Sequence, residues 1–412
     1  MTNNNEIPQK SIFTKYEIFI IAILSILQFT IILDFMVLNP LGAQLLTELN
    51  IKPAQFGLVV SAYAFSAGIS GFLAAGFADK FDRKKLLLFF YTGFILGTAF
   101  CAMATNYQYL LFARIFTGVF GGVIGSVTFA IITDLFKMEV RGRVMGFVQT
   151  AFAASQVLGI PIGLVLANKF GWHAPFWMIV GFSLIVYASI FIYLRPINAH
   201  LKIQLEHNAF QRLLKIITTP QYLRAFLTVI LLSTGGYMLM PLGSAFTINN
   251  LKIGMDDLPL IYGITGIFSI IFGPIMGRLS DKVGKYTIFV WASIWSMITI
   301  GIFTQLGVTP LWLAITINVL IFIGVSTRMI ASSALMTAVP KPQDRGAFMS
   351  LNSSIQQIGG GFASAAAGLI VVQTPSGFLD NYDILGYVVI TSMLIVIGLM
   401  YFLNKQIQNS GK

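Results

Sequence analysis

The sequence predicts an all-α membrane protein in which twelve transmembrane helices form two pseudo-symmetric six-helix bundles. Three observations predict this fold class: a composition too apolar for a water-exposed surface, twelve apolar runs of membrane-spanning length, and a repeat that relates the two halves of the chain. Of the 412 residues, 56% are hydrophobic and only 10% are charged, whereas a soluble domain carries about 25% charged residues.

The twelve apolar runs are the predicted spans, numbered 1 to 12 along the chain. Each is near or above the roughly 20 residues that an α-helix needs to cross a bilayer, and together they leave no room for a soluble domain. In order, they cover residues 18–38, 56–78, 86–104, 109–133, 143–167, 174–194, 223–249, 257–279, 286–306, 311–337, 347–372 and 384–403.

An internal repeat divides the spans into two sets of six. Three motifs recur in order at offsets of 201, 202 and 204 residues: Pro40-Leu41-Gly42 with Pro241-Leu242-Gly243, Asp79 with Asp281, and Arg141-Gly142 with Arg345-Gly346. We therefore predict an N-terminal bundle over 1–194, a linker over 195–222 and a C-terminal bundle over 223–412. The linker stretch "NAFQRLLKII" predicts a short amphipathic helix on the membrane surface.

The basic residues predict the orientation of the chain. With both termini on one side, the opposite loops hold only Lys52, Lys169 and Lys252. Arg114 and Arg328 lie inside spans, and the remaining 21 of the 26 lysines and arginines fall on the side of the termini. Positive residues accumulate on the cytoplasmic side, so we predict that both termini are cytoplasmic. The net charge of +11 then reflects topology and gives no reason to expect a nucleic-acid partner.

Several function classes find no support in the sequence. The phosphate-binding pattern G-x-x-x-x-G-K-[ST] does not occur, and three histidines with one cysteine form no metal-ligand cluster. Neither a catalytic constellation nor a soluble output domain is present. We predict a protein that is not an enzyme and that uses no cofactor and no metal.

Three ionisable residues inside the spans are candidate functional groups, because unpaired charges are costly in lipid. Asp34 in span 1 is the only one of fifteen acidic residues near the middle of a span, and Arg114 and Arg328 lie in spans 4 and 10. A carboxyl group whose arginine neighbour approaches and withdraws can take up and release a proton. The alternative is a fixed Asp34–Arg114 pair that joins spans 1 and 4.

Asp34, Arg328 and several amides are candidates for a substrate cavity. Arg328 either faces the cavity, where it would favour an anionic or polyhydroxylated solute, or lies near a membrane face and bonds to carbonyl groups. The amides have helical spacing and are equally compatible with hydrogen bonds between helices. They are Gln149, Gln156, Asn318, Asn352 and Gln356.

The loops after spans 2 and 8 carry the family resemblance. They read "AGFADKFDRKKLL" and "GRLSDKVGK", and across its whole length the chain resembles the major facilitator superfamily. The second loop has all the expected residues, namely Gly277, Asp281, Lys282, Gly284 and Lys285. The first loop departs from the pattern, with Ala75 and Asp82 in place of its two glycines.

Within that family the chain is most similar to bacterial drug and sugar efflux permeases of the twelve-span, arabinose-efflux-like type. This resemblance rests on Asp34, "LLFARIFTGVFGG" in span 4, "SQVLGIPIGLVLA" in span 5 and "GWHAPF" at span 6. Span 5 departs from the antiporter motif, because Ile160 separates Gly159 from Pro161 and a single glycine, Gly163, follows. His173 stands where the family has an arginine, and we interpret it as a solvated loop residue.

The resemblance implies a monomeric transporter of the bacterial inner membrane that exports a drug, sugar or metabolite in exchange for H⁺ by alternating access. It implies proton coupling by Asp34 and Arg114 and a gate at Gly159, Pro161 and Gly163. It also implies a loop network that latches the halves, formed by Asp79, Asp82, Arg83, Lys84, Asp134, Arg141, Asp281, Lys282, Lys285 and Arg345. An uptake symporter, a passive facilitator and a lipid or glycolipid flippase are the alternatives on the same fold.

Overall fold

The computed structural model of the chain describes residues 13–202, 209–341 and 344–410. The predicted all-α fold is confirmed, since 85% of the protein is helical. In order, spans 1 to 6 are Lys15–Val37, Pro53–Phe77, Arg83–Ala102, Tyr107–Leu135, Met138–Phe170 and Ala174–Tyr193. Spans 7 to 12 are Pro220–Asn249, Leu258–Val283, Lys285–Phe303, Leu311–Ala338, Arg345–Ile370 and Tyr382–Ser410.

Two spans are interrupted, each beside a proline. Span 5 consists of Met138–Ala154, a π-helical turn over Ser155–Gly159, and Ile160–Phe170. Span 7 breaks between Pro220–Tyr237 and Met240–Asn249. Proline has no N–H to donate to the preceding turn, so it displaces or interrupts the helical hydrogen bonds there.

Among the described residues, eleven helical segments are long and apolar enough to cross a membrane. The predicted span 11 is also a helix, but it is not one of the eleven, because Asn352, Gln356 and Gln357 lower its hydropathy. This helix packs between spans 2 and 7. Its polar side chains therefore lie along contacts with protein, which explains why hydropathy alone underrates it.

Short elements connect the spans. Helix Gly42–Glu48 follows the first Pro-Leu-Gly motif, as Met240–Asn249 spans the second. The 3₁₀ turns are Ala78–Lys80, Ala199–Lys202 and Met255–Asp257. A two-residue antiparallel hairpin, Val372–Gln373 with Leu379–Asp380, was not predicted.

The predicted amphipathic linker helix is present as Ala209–Thr218. Its Leu213 and Ile216 are buried and pack in a cluster with side chains of spans 2, 7 and 11, including Phe72, Phe226 and Phe348. The apolar face of this helix thus packs against the bundle, and its predicted position at the membrane surface stays a prediction.

Spans 2 and 11 pack closely along their whole length. A Cβ atom added at Gly57 would lie 2.7 Å from the Ser364 carbonyl oxygen, and one at Gly68 would lie 2.8 Å from the Ser354 carbonyl oxygen. Small residues permit such an approach of two helix backbones inside a membrane. This seam joins the two halves of the sequence from one membrane face to the other.

Spans 5 and 8 pack differently. We call the face that carries the chain termini the terminal face and the other the opposite face. Near the opposite face the spans touch closely, and a Cβ atom at Gly266 would lie 2.8 Å from the Val157 Cα atom. Toward the terminal face no heavy atom of the described residues lies within 4 Å of a Cβ atom placed at Gly142, Gly146, Gly273 or Gly277. Span 8 contacts mainly the π-helical turn and the last helix of span 5 and hardly touches Met138–Ala154, so the two spans separate and leave a cleft toward the terminal face.

Candidate functional site

Asp34 and Arg114 form a buried ion pair. Both side chains are 0% exposed, and Arg114 Nη1 lies 2.8 Å from Asp34 Oδ2. Thr98 Oγ1 donates to Asp34 Oδ1 at 3.0 Å, so both carboxylate oxygens have a partner. The Arg114 Nε and Nη2 atoms have no hydrogen-bond partner among the described residues. Spans 1, 3 and 4 thus hold a charge pair in which each carboxylate oxygen has a hydrogen-bond partner, while two nitrogens of the guanidinium have none among the described residues.

An aromatic layer, which sequence reasoning missed, covers this pair on the side of the second half. The Arg114 guanidinium lies 4.4 Å from the Tyr63 ring centroid, a cation–π distance. Phe35 contacts Tyr63 on one side and Tyr237 on the other, with ring centroids 5.4 and 5.9 Å apart. Gly121 leaves room for this layer, because a Cβ atom there would lie 2.7 Å from the Tyr63 hydroxyl.

Arg328 is buried in the second half without a carboxylate partner in the described part of the chain. It is 2% exposed, its Nε atom donates to Ser293 Oγ at 3.0 Å, and its guanidinium lies 5.6 Å from the Phe289 ring centroid. The alternative in which Arg328 bonds to carbonyl groups has no such contact among the described residues. Arg328 is thus a buried cation with one neutral hydrogen bond.

The predicted cavity amides are not brought together into one network in the described structure. Gln149 is exposed, whereas Gln156 is 8% exposed. Asn318 Oδ1 accepts a hydrogen bond from Thr265 Oγ1 at 3.1 Å, which joins spans 8 and 10. Asn352 is half-buried, and its Oδ1 atom has no partner among the described residues. The half-buried Gln356 lies on the same helix as Asn352.

The predicted gate residues of span 5 lie against both halves. A Cβ atom at Gly159 would lie 2.5 Å from Leu33 Cδ1, and one at Gly163 would lie 3.0 Å from Val37 Cγ2, both in span 1. Pro161 instead faces span 8, where a Cβ atom at Gly263 would lie 3.7 Å from Pro161 Cγ. Pro161 therefore lies in the packed section of the seam between spans 5 and 8, whereas Gly159 and Gly163 pack against span 1. The gating role of the three residues stays a prediction.

The first loop forms an ion network inside the N-terminal half. Arg83 donates to Asp79 Oδ1 at 2.7 Å and to Asp134 Oδ2 at 2.9 Å, so the predicted Arg83–Asp134 bridge is present. His200 Nδ1, which sequence reasoning missed, lies 3.3 Å from Asp134 Oδ2. Arg141 donates to backbone carbonyl groups at the end of span 4.

The other predicted latch residues play varied parts. Asp82 caps span 3 by accepting from the Lys85 amide at 3.1 Å, and Lys84 Nζ donates to the Phe191 carbonyl at 2.9 Å. Asp281 and Lys282 are exposed and Lys285 is half-buried, and none of the three has an ion pair with the described residues. The Arg345 side chain lies outside the described residues. Latching of the two halves stays a prediction.

Loops at the opposite face link the two halves, which sequence reasoning also missed. Gln44 Nε2 donates to Asn168 Oδ1 at 2.9 Å, and Asn168 Nδ2 donates to the Met255 carbonyl at 3.1 Å. Ser244 Oγ donates to the Asn39 carbonyl at 3.2 Å. The opposite face is therefore closed by polar contacts while the terminal face has an open cleft.

Comparison with known proteins decides the family. The model of the Major Facilitator Superfamily matches residues 24–364 and 225–412 of the chain. The chain belongs to this superfamily. It is therefore a multi-pass membrane protein of a transporter family, which is not a family of enzymes.

Bacterial relatives and a solved structure agree with this assignment. The chain is 26% identical over 261 residues to the uncharacterized MFS-type transporter YceJ of Bacillus subtilis, covering 63% of this chain and 66% of YceJ, just under two thirds. It is 25% identical over 283 residues to multidrug resistance protein 2 of the same species, covering 67% of this chain and 70% of that protein. A D-xylose–proton symporter shares the fold at 16% identity and a TM-score of 0.76, covering 92% of this chain and 97% of the symporter.

Proposed function

We propose that this major facilitator protein is a secondary transporter that exports a small molecule in exchange for protons by alternating access. It would act as a monomer in the bacterial inner membrane with both termini in the cytoplasm, and in that orientation the cleft faces the cytoplasm. The observation that carries the proposal is the Asp34–Arg114 pair, an acidic group buried in the membrane beside a cation that lacks part of its hydrogen bonding.

The pair provides a physical route to coupling. Protonation neutralises Asp34, and Arg114 then holds a buried charge without a counterion. Because such a charge is strongly destabilising, protonation favours any rearrangement that gives Arg114 water or another partner. The contacts Arg114–Tyr63, Tyr63–Phe35 and Phe35–Tyr237 connect the pair to span 7, so such a rearrangement reaches the second half.

The direction of transport and the solute are supported by resemblance. Multidrug resistance protein 2 is named for resistance to drugs, which export would provide, whereas the D-xylose–proton symporter of the same fold is named for cotransport with protons. Export therefore follows the relatives of higher identity, and uptake by symport is the competing mode. If Asp34 and Arg114 form only a fixed structural pair, passive facilitation is expected instead.

The test uses purified protein in liposomes that contain a pH-sensitive dye. Pooled sugars, antibiotics, siderophores and organic cations are added to wild type, Asp34→Asn and the control Glu48→Gln, whose carboxylate is exposed and has no ion pair with the described residues. We expect substrate-triggered proton movement in wild type and in the control, and none in Asp34→Asn. Solute flux without proton movement, equal in all three proteins, would contradict proton coupling.

A further inference from the structure

We propose that Arg328 binds the carboxylate group of the transported solute, so that the substrates are small organic anions with an apolar body. This inference rests on the proposed transport function and adds the substrate class to it. Three features of the site support it: the missing counterion of Arg328, the register of the internal repeat, and the side chains around the guanidinium.

The guanidinium of Arg328 retains free donors. Its Nε atom bonds to Ser293, while its Nη1 and Nη2 atoms have no hydrogen-bond partner among the described residues. In contrast to Arg114, whose partnerless nitrogens are sealed from solvent, Arg328 has no sealed partnerless nitrogen. Both Nη atoms therefore reach accessible space. A nearly buried cation with two free donor groups is expected to bind an anion, since an unpaired charge is costly in this environment.

The internal repeat places a glycine beside Arg328 at the position where the first half has the carboxylate of Asp34. The offset of 201 residues that relates the two Pro-Leu-Gly motifs places Gly235 at the position equivalent to Asp34. A Cβ atom built on Gly235 would lie 2.7 Å from Arg328 Nη1. In both halves an arginine thus contacts this one position of the repeat. In the first half the position supplies a carboxylate, and in the second half it supplies no side chain.

A carboxylate on a bound solute would pair with Arg328 as the Asp34 carboxylate pairs with Arg114. Arginine recognises a carboxylate through two parallel N–H···O bonds, which a hydroxyl or an ammonium group does not reproduce. Besides Ser293, the guanidinium has apolar and aromatic neighbours: the Phe289 ring at 5.6 Å, and Met393, whose Cε atom would lie 3.1 Å from the same Cβ atom on Gly235. These contacts favour a carboxylate attached to an apolar group.

The chain offers a matched pair of variants. Gly235→Asp places the missing carboxylate beside Arg328, and the atoms that must move, Arg328 Nη1 and Met393 Cε, are ends of flexible side chains. Gly236→Asp adds the same charge one residue further on, where a Cβ atom has no neighbour within 4 Å among the described residues. Arg328→Gln removes the cation directly and provides an independent variant.

The experiment measures thermal stabilisation of the purified full chain by acetate, octanoate and benzoate, each compared with its primary amide. We expect at least one carboxylate to stabilise wild type and Gly236→Asp, and its amide to have no effect. In Gly235→Asp and Arg328→Gln the apparent Kd of that carboxylate should rise about ten-fold or more, as expected for loss of a charge-assisted pair.

Two outcomes would overturn the inference: no carboxylate stabilises wild type, or the stabilisation persists in Gly235→Asp and Arg328→Gln. The liposome assay separates these outcomes from failure of the proposed function. Proton-coupled transport of sugars or cations without carboxylate binding would leave the function and remove the substrate class. Carboxylate binding that requires Arg328, with no proton movement on transport, would leave the substrate class and remove the coupling.

Discussion

Replacing one partner of the Asp34–Arg114 pair should destabilise the protein far more than replacing both. In Asp34→Leu the Arg114 guanidinium keeps a buried charge with no counterion among the described residues. In Arg114→Met the carboxylate of Asp34 keeps Thr98 as its only hydrogen-bond donor in the same part of the chain. Because both side chains are 0% exposed, water does not compensate for the loss. Each single variant is expected to lose about 3–5 kcal/mol of the free energy of unfolding.

The double variant Asp34→Leu/Arg114→Met removes both charges and keeps apolar volume at both sites. Such replacements of a buried ion pair are close to neutral or stabilising. Here Thr98 loses its acceptor, which costs about 1–3 kcal/mol if its hydroxyl finds no other partner. The double variant is therefore expected to lose no more than about 3 kcal/mol, less than the sum of the single losses.

Unfolding titrations in mixed detergent and SDS, followed by far-UV circular dichroism, measure these free energies as a double-mutant cycle. Asp281→Asn is the control and should lie within about 0.5 kcal/mol of wild type. Strictly additive single losses would refute the reasoning, because they would show that the two charges do not depend on one another. A loss below about 1 kcal/mol in both single variants would also refute it, by showing that water reaches the site.

Three further predictions concern the seams and the loop network. Gly266→Val should separate spans 5 and 8 near the opposite face, and Gly273→Val should hinder their closure near the terminal face. Spin-label distances between the two spans should therefore increase at the opposite face in Gly266→Val and stay long at the terminal face in Gly273→Val. Asn168→Ala removes the hydrogen bonds of Asn168 to Gln44 and to Met255, the second of which joins the halves at the opposite face. It should shift the same distances as Gly266→Val does, while an unchanged distance would contradict this. Asp134→Asn leaves Arg83 with one carboxylate and should cost about 1–3 kcal/mol of unfolding free energy by SDS titration, whereas a change as small as that of Asp281→Asn would contradict it.

The spans and the buried ion pair could be predicted from the sequence because both follow from local rules. Hydropathy identifies a helix that must bury its backbone polar groups in lipid, and it placed all twelve predicted spans on helices. Asp34 has few possible counterions, since only Arg114 and Arg328 are cations inside the spans. The scarcity of charge therefore made the Asp34–Arg114 contact predictable without knowledge of helix packing.

Contacts set by helix rotation were not predictable in the same way. The aromatic layer of Phe35, Tyr63 and Tyr237 depends on which faces of spans 1, 2 and 7 meet, and aromatic residues are too frequent in this chain to single these out. The links through Asn168 and His200 join residues far apart in sequence, at loops whose paths the spans do not determine. The sequence also left two alternatives for Arg328, because its environment depends on the rotation of span 10 relative to span 7.

The two seams explain how one scaffold can be rigid on one side and open on the other. Between spans 2 and 11 the glycines, such as Gly57 and Gly68, contact backbone atoms of the partner helix, so this seam is fully formed. Between spans 5 and 8 only the glycines near the opposite face are in contact, while Gly142 and Gly146 on span 5 and two more on span 8 border open space. Small residues four apart are the pattern that lets membrane helices pack closely. These uncovered pairs therefore mark surfaces able to meet when the terminal face closes, and the pivot of that motion is expected along spans 2 and 11.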